Sequence, residues 1–256
     1  MEPLEGRTAI VTGASSGIGL AATNLFADSG ATVHPVARRK EAMIEGAGKE
    51  RIDSGQVIPH ALNVTDKEAV KRLVDKIGED SLDVLILAAG MNVPERKLDQ
   101  LTPEVWDEML SVNLSGAFYF VHAALPYLRA SRGDAVLISS VSGSWPDVSG
   151  PAYGASKAGM TQFARAAGLE EHENGVRFSS ILPGIVDTPL LDNRPEPPPK
   201  EVRDVSLKPE DVAAACRFLV TLPPRAHVPE LTMIPTALQA LGKTGMATPP
   251  ISTVEE

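Results

Sequence analysis

The chain has 256 residues, and its 24 Lys+Arg against 33 Asp+Glu give a net charge of −9, which argues against nucleic-acid or anionic-membrane binding because both need concentrated Lys and Arg. A single cysteine excludes an intrachain disulfide and a cysteine-based metal cluster, and no apolar run approaches the roughly 18 residues that cross a bilayer. The start, Met1-Glu2-Pro3-Leu4-Glu5-Gly6-Arg7, is acidic and runs into a strand-like segment, unlike a signal peptide, so a cytoplasmic protein of one large or two small domains is expected.

Along the chain, strand-like and helix-like segments alternate. Residues 7–12 (RTAIVT) read as a short apolar strand, 17–29 have helical periodicity, and 31–37 and 56–62 read as further strands. Pro35 is out of place in an internal strand, because it lacks a ladder donor. Thr65-Asp66-Lys67-Glu68 has the pattern of a capping box pairing Thr65 with Glu68. Val70, Leu73, Val74 and Ile77 follow at the spacing of one buried helix face. The run 82–88 (LDVLILA) is the signature of a strand covered on both faces. Helical stretches cover 103–129 and 152–173, while 135–139, 176–182 and 230–234 read as strands. Pro209 opens another helix with Glu210 and Asp211 in its first turn, where acids suit the dipole. Residues 193–200 (NRPEPPPK) are too proline-rich for helix or central strand and read as a surface loop.

This alternation implies α/β architecture, a parallel sheet with helices on both sides. There is no second alternation and no internal repeat. The expected organisation is one domain over 1–240 and a tail over 241–256, its end (248–256) loose.

Between the first strand and first helix lies Thr12-Gly13-Ala14-Ser15-Ser16-Gly17-Ile18-Gly19. Gly13 permits a tight turn, Gly17 lets backbone approach a pyrophosphate, and Gly19 allows close packing of the helix. The free N–H groups of the helix start then face the anion. The spacing Gly-x-x-x-Gly-x-Gly differs from the common Gly-x-Gly-x-x-Gly dinucleotide fingerprint. A second constellation is Tyr153-Gly154-Ala155-Ser156-Lys157, with Tyr and Lys one helical turn apart on one face. Ser140 lies thirteen residues before Tyr153, at the C-terminal end of an expected strand, where open α/β sheets bind ligands.

With these motifs the chain resembles the short-chain dehydrogenase/reductase family over about residues 4–238. The resemblance implies a single-domain, Rossmann-like, doubly wound, predominantly seven-stranded parallel sheet. It assigns Ser140 to hydrogen bonding the substrate oxygen and Tyr153 to proton transfer. It gives Lys157 the nicotinamide ribose and the task of lowering the tyrosine pKa. Asn113, in Val112-Asn113-Leu114, matches the asparagine that holds a water in the proton relay.

The cofactor-binding set implied is Gly13, Ser15, Ser16, Gly17, Ile18, Gly19, Arg38, Arg39, Asn63, Val64, Ala89, Gly90, Tyr153, Lys157, Pro183, Gly184, Ile185, Val186 and Thr188, with no metal. At the end of the second strand Ala37 stands where NAD-users of the family carry Asp, and Arg38 follows. A missing acid beside a guanidinium favours a ribose 2′-phosphate, hence NADP(H) over NAD(H); the alternative is a solvated basic helix start. Leu87-Ala88-Ala89-Gly90 replaces the family's Asn-Asn-Ala-Gly and loses two polar side chains that tie central strands.

The reading that follows is an NADP(H)-dependent oxidoreductase interconverting a secondary alcohol and a ketone, a carbonyl reductase in the reductive direction. The alternative is a cofactor-binding regulatory or structural protein without turnover. Sugar or isomerase chemistry on this fold goes with a larger C-terminal region than this chain has. Relatives commonly form homodimers or homotetramers through the helices near 103–129 and 152–173. The residues Gly143-Ser144-Trp145-Pro146 and 222–236 look like members acting on 3-hydroxy acids or small hydroxy compounds, with Leu190 and Leu191 near the site and Trp145 and Pro146 as candidate pocket walls. The histidines His34, His60, His122, His172 and His227 have no metal spacing. Cys216 and Trp106 read as packing residues.

Overall fold

A computed structural model describes residues 4–238. The expected tail at 241–256 lies outside them. The elements in chain order are β1 (Thr8–Thr12), α1 (Gly17–Asp28), β2 (Thr32–Ala37), α2 (Lys40–Ala47), α3 (Lys49–Asp53), β3 (His60–Ala61), α4 (Lys67–Gly78), β4 (Val84–Leu87), α5 (Pro103–Leu110), α6 (Gly116–Ser131), β5 (Asp134–Ile138), α7 (Pro151–Glu171), β6 (Arg177–Pro183), α8 (Lys200–Asp204), α9 (Pro209–Val220) and β7 (Glu230–Met233). The sheet is seven-stranded in the order β3-β2-β1-β4-β5-β6-β7, and every pairing is parallel. The chain leaves β1 toward one edge and resumes at β4 toward the other. Such a switch point opens a crevice beyond the C-terminal strand ends.

Side-chain alternation divides each central strand between two cores. Ala9 and Val11, Val84 and Ile86, and Val136 and Ile138 pack toward α1 and α9. Ile10, Leu85, Leu87, Ala135 and Leu137 pack toward α4, α6 and α7. The period of two sends neighbours to opposite faces, so both must be apolar. On α4, Val70, Val74 and Ile77 are the buried face expected from their spacing.

The structure corrects two local expectations and adds to a third. The α4 cap is not the Thr65–Glu68 box: Asp66 is the N-cap, and its Oδ1 accepts from Ala69 N at 3.0 Å. The Asn63 side chain meanwhile takes Thr65 N, so a carboxylate one position later closes the helix start. The strand expected over 56–62 contracts to His60–Ala61 plus an isolated bridge between Val33 and Val57. Pro35 supplies the reason. Val33 N and Ala37 O bond toward the β3 side, so the missing donor of Pro35 falls on that side too. The register that pairs Val36 with His60 sets Pro35 beside Pro59, and the ladder breaks there. Finally, the loss of polar side chains at Leu87-Ala88 is met by Thr12, whose hydroxyl accepts from Ala89 N at 3.2 Å and ties β1 to the chain after β4.

At the opposite, N-terminal edge of the strands, buried Asp134 accepts from Arg177 Nε at 2.7 Å and Arg7 Nη2 at 3.0 Å. This ion triad clamps β5, β6 and the entry to β1, away from the crevice.

Candidate active site

The turn after β1 is built by glycines that admit no side chain. Gly13 has φ +69°, and a Cβ there would stand 2.7 Å from Ala89 N. A Cβ at Gly19 would stand 2.5 Å from the Gly13 carbonyl oxygen. Gly19 therefore lets α1 pack on the turn itself rather than on the sheet. At Gly17 a side chain would press on Thr188 Cγ2 at 3.1 Å, across the gap between the turn and the loop after β6. Ser16 precedes α1 without a side-chain cap, which leaves the helix-start N–H groups for an anion.

A groove of about 780 Å³ runs from this turn past Val36, Ala37, Arg38 and Arg39 to Asn63, Val64 and Thr65. Arg39 Nη2 donates to Ser15 Oγ at 3.1 Å and joins the two walls. Asn63, which lines the groove, accepts from Thr65 N at 3.2 Å. A second cavity, of about 610 Å³, adjoins it. Ile18, Ala88, Gly90 and Thr188 line both.

The second cavity gathers Ser140, Tyr153 and Lys157. Ser140 follows β5, and Tyr153 and Lys157 sit one turn apart on α7, which Pro151 starts at its first position. Ser139 turns away, donating to the Lys157 carbonyl at 2.9 Å. Lys157 Nζ donates to the Ile138 carbonyl at 2.8 Å and stands 5.7 Å from the Tyr153 ring centre. Burial pulls the Lys157 ammonium down to about 8. Burial also pushes the Tyr153 phenol up to about 12, against the Ser140 hydrogen bond and the charges of Arg194 and Arg96, with Asp147 reinforcing the rise. The family resemblance gives Lys157 the task of lowering the phenol pKa. In this arrangement the opposing cations are the two arginines, because the ammonium is directed at a carbonyl.

Asn113 lies in a π-turn, Ser111–Ser115, between α5 and α6. Its Oδ1 accepts from Met91 N at 2.7 Å, and its Nδ2 donates to Met91 O and to Ser156 Oγ. Such wide turns cluster at functional sites. Across Gly90, a Cβ would lie 3.5 Å from both Asn113 Oδ1 and Lys157 Nζ, so the two side chains flank one bare stretch of backbone.

Beyond β6, Pro183, Gly184, Ile185, Val186 and Thr188 line the cavity. Gly184 N donates to Met233 O, Leu207 N to Ile185 O, and Asp187 N to Leu207 O, which braces the turn. Leu190 and Leu191 also line it, whereas Trp145 and Pro146 do not; Asp147 and Val148 take that wall, and Trp145 faces outward. Sequence reasoning missed Arg96, Asp147 and Arg194. The signal for Arg194 was a cation among prolines, in a segment read as plain surface loop.

Among the described residues no cluster of His, Cys, Asp and Glu has the makings of a metal site. His34 and His60 instead stack on each other, Nδ1 to Nε2 at 2.9 Å, and burial takes His60 down to about 4. Cys216 is fully buried on α9, its thiol pushed up to about 12 by burial.

A glycine-lined anion cradle at a sheet switch point, beside a Ser-Tyr-Lys cluster, is the arrangement of a dinucleotide-dependent oxidoreductase. Comparison with known proteins narrows the class. Residues 7–198 match the family model for short chain dehydrogenases, and the chain belongs to that family. A curated relative, the 3-oxoacyl-[acyl-carrier-protein] reductase FabG of Thermotoga maritima, is 34% identical over 239 residues, covering 85% of this chain and 92% of the relative. Among solved structures, an alcohol dehydrogenase from the archaeon Thermococcus sibiricus complexed with 5-hydroxy-NADP superposes with TM-score 0.78 at 30% identity, over 90% of this chain and 97% of that one. A closed-form serine dehydrogenase complexed with NADP+ gives TM-score 0.79 at 28% identity, over 89% of this chain and 94% of that one.

Proposed function

We propose that this oxidoreductase uses NADP(H) to interconvert a secondary alcohol and a ketone, with Tyr153 as general acid and base. The carrying observation is the convergence of Ser140, Tyr153 and Lys157 on a cavity that shares its wall with the phosphate-turn groove. The residues present fit a dinucleotide. The turn is stripped of side chains at Gly13, Gly17 and Gly19, the start of α1 is uncapped, and Arg38 lines the far end of the groove beside Ala37, where no acid repels a phosphate. Arg38 would hold the 2′-phosphate, Asn63 and Val64 the adenine end, and the 183–188 turn the nicotinamide end. When bound, the nicotinamide supplies or accepts hydride.

The chain's own residues manage the proton. Ser140 holds and polarises the substrate oxygen. Tyr153 gives its phenolic proton to that oxygen in reduction and takes it back in oxidation. Lys157 holds the ribose and, once drawn off the Ile138 carbonyl, lowers the phenol toward the working range. Asn113 holds the far end of the proton path, at Gly90. The exposed Phe118 of α6 and Leu169 of α7 suit a homo-oligomer built through these helices.

The test is a fluorescence titration with NADPH and NADH beside Arg38→Ala, followed by turnover of a carbonyl panel with Tyr153→Phe as control. Tighter NADPH binding that Arg38→Ala abolishes supports the cofactor assignment. Equal binding of NADH refutes it. Cofactor binding with no turnover that depends on Tyr153 favours the regulatory alternative.

A further inference from the structure

The cavity beside Tyr153 contains more positive charge than proton transfer requires. Arg194 and Arg96 both line it, against the single carboxylate of Asp147. Asp147 is already engaged: its oxygens accept from Ser142 Oγ at 2.6 Å and Ser149 N at 2.8 Å. Arg96 is nearly buried and donates from Nε to Val93 O, at 2.8 Å, and from Nη2 to Asn193 O, at 2.5 Å. It thereby fixes the residue next to Arg194. Its backbone packs closely on Gly150, where a Cβ would stand 2.4 Å from the Arg96 carbonyl oxygen.

Arg194 is different. Among the described residues its guanidinium has neither a hydrogen-bond nor an ion-pair partner. Of the two acids nearest in sequence, Asp192 is taken by Arg203, and Glu196 makes no ion pair with Arg194 among the described residues. Yet Arg194 is held in the cavity wall, and burial draws its pKa below the usual arginine value. A partly desolvated guanidinium on a cavity wall gains most when an anion replaces the water it has lost. Its planar fork suits a carboxylate, which accepts two parallel N–H bonds.

We propose that Arg194 is the carboxylate anchor of the substrate cavity, and that the substrates are hydroxy acids and their oxo-acid counterparts. The acid end pairs with Arg194, and the reacting oxygen lies at Ser140 and Tyr153. Arg96 acts as a positioning residue, holding the Asn193 carbonyl and thus the loop that presents Arg194. Leu190, Leu191 and Val148 close the apolar wall around the carbon chain. This substrate class rests on the oxidoreductase reading above, but its test separates the two.

The experiment measures NADPH-dependent reduction of pyruvate, acetoacetate and levulinate against their methyl esters, by wild type and Arg194→Gln. Calorimetry then measures β-hydroxybutyrate binding to the same proteins with and without NADPH. At least one free acid is expected to be preferred over its ester. Arg194→Gln is expected to lower kcat/KM for that acid by about 10- to 100-fold more than for its ester, as for loss of a charge-assisted pair; any loss common to both reports the Arg194 charge acting on Tyr153. Arg194→Lys is expected to recover part of the loss, and NADPH affinity to stay constant. Esters reduced as well as acids by both proteins would leave the oxidoreductase reading standing and overturn the anchor. So would a variant whose only loss is NADPH affinity, or acid binding that ignores Arg194. No turnover of any carbonyl, with acid binding still dependent on Arg194, would retain the anchor and overturn the catalytic reading.

Discussion

Lys157→Met is expected to make the protein more stable while abolishing its turnover. Lys157 is nearly fully buried, and its pKa falls from 10.5 to about 8 through burial alone. At about 1.4 kcal/mol per pH unit, that drop makes the charged form about 3 kcal/mol less favourable in the folded chain. Methionine fills similar space without the charge. It also forfeits the bond to the Ile138 carbonyl, a loss of about 1 kcal/mol. The net expectation at pH 7 is a gain of about 2 kcal/mol, or about 4–8 °C in Tm for a domain of this size. The pH dependence is diagnostic. A lysine with a lowered folded pKa destabilises fully below about pH 8, and the penalty lifts progressively between there and 10.5, as the unfolded chain binds the extra proton. Wild-type stability should therefore rise relative to Lys157→Met across that window. Thermal melts without cofactor at several pH values measure the gap. A variant no more stable than wild type at pH 7, or a gap constant to pH 10, would refute the reasoning.

Three further outcomes are expected. Gly19→Ala forces a Cβ to 2.5 Å from the Gly13 carbonyl oxygen, so the turn must open; NADPH affinity should fall at least ~10-fold and stability by about 1–3 kcal/mol, measured by fluorescence titration and urea melts. Asp134→Ala strands two partly buried guanidiniums and should cost about 3–5 kcal/mol in urea unfolding, with the affinity for NADPH of the protein that remains folded unchanged. Sedimentation equilibrium should give a multiple of the 27.1 kDa chain mass, and Phe118→Glu on α6 should shift it toward one copy; a monomeric wild type would remove the oligomer reading.

Most of the architecture was legible in the sequence because it follows from local pattern. Unbroken apolar strands such as 84–87 demand cover on both faces, and the spacing on α4 demands one buried stripe. The glycine turn, Ser140, Tyr153 and Lys157 were legible for the same reason, since strand ends and helical turns have fixed geometry. Other features arose only from the fold. The broken ladder at Pro35 depends on which edge its missing donor faces. The cap at Asp66 depends on which of two adjacent residues, Thr65 or Asp66, takes the N-cap position. The π-turn that seats Asn113 depends on its partners, Met91 and Ser156, brought in from other segments.

By itself, then, the sequence determined the alternating elements, the anion cradle and the Ser-Tyr-Lys cluster, since each depends on residues close along the chain. Tertiary structure alone decided the charge of the cavity. Arg96, Asp147 and Arg194 are far apart in sequence, and each looks like an ordinary loop residue. Only when the segments after β4, β5 and β6 close over one cavity do these charges meet, lose water and acquire a stake in what enters.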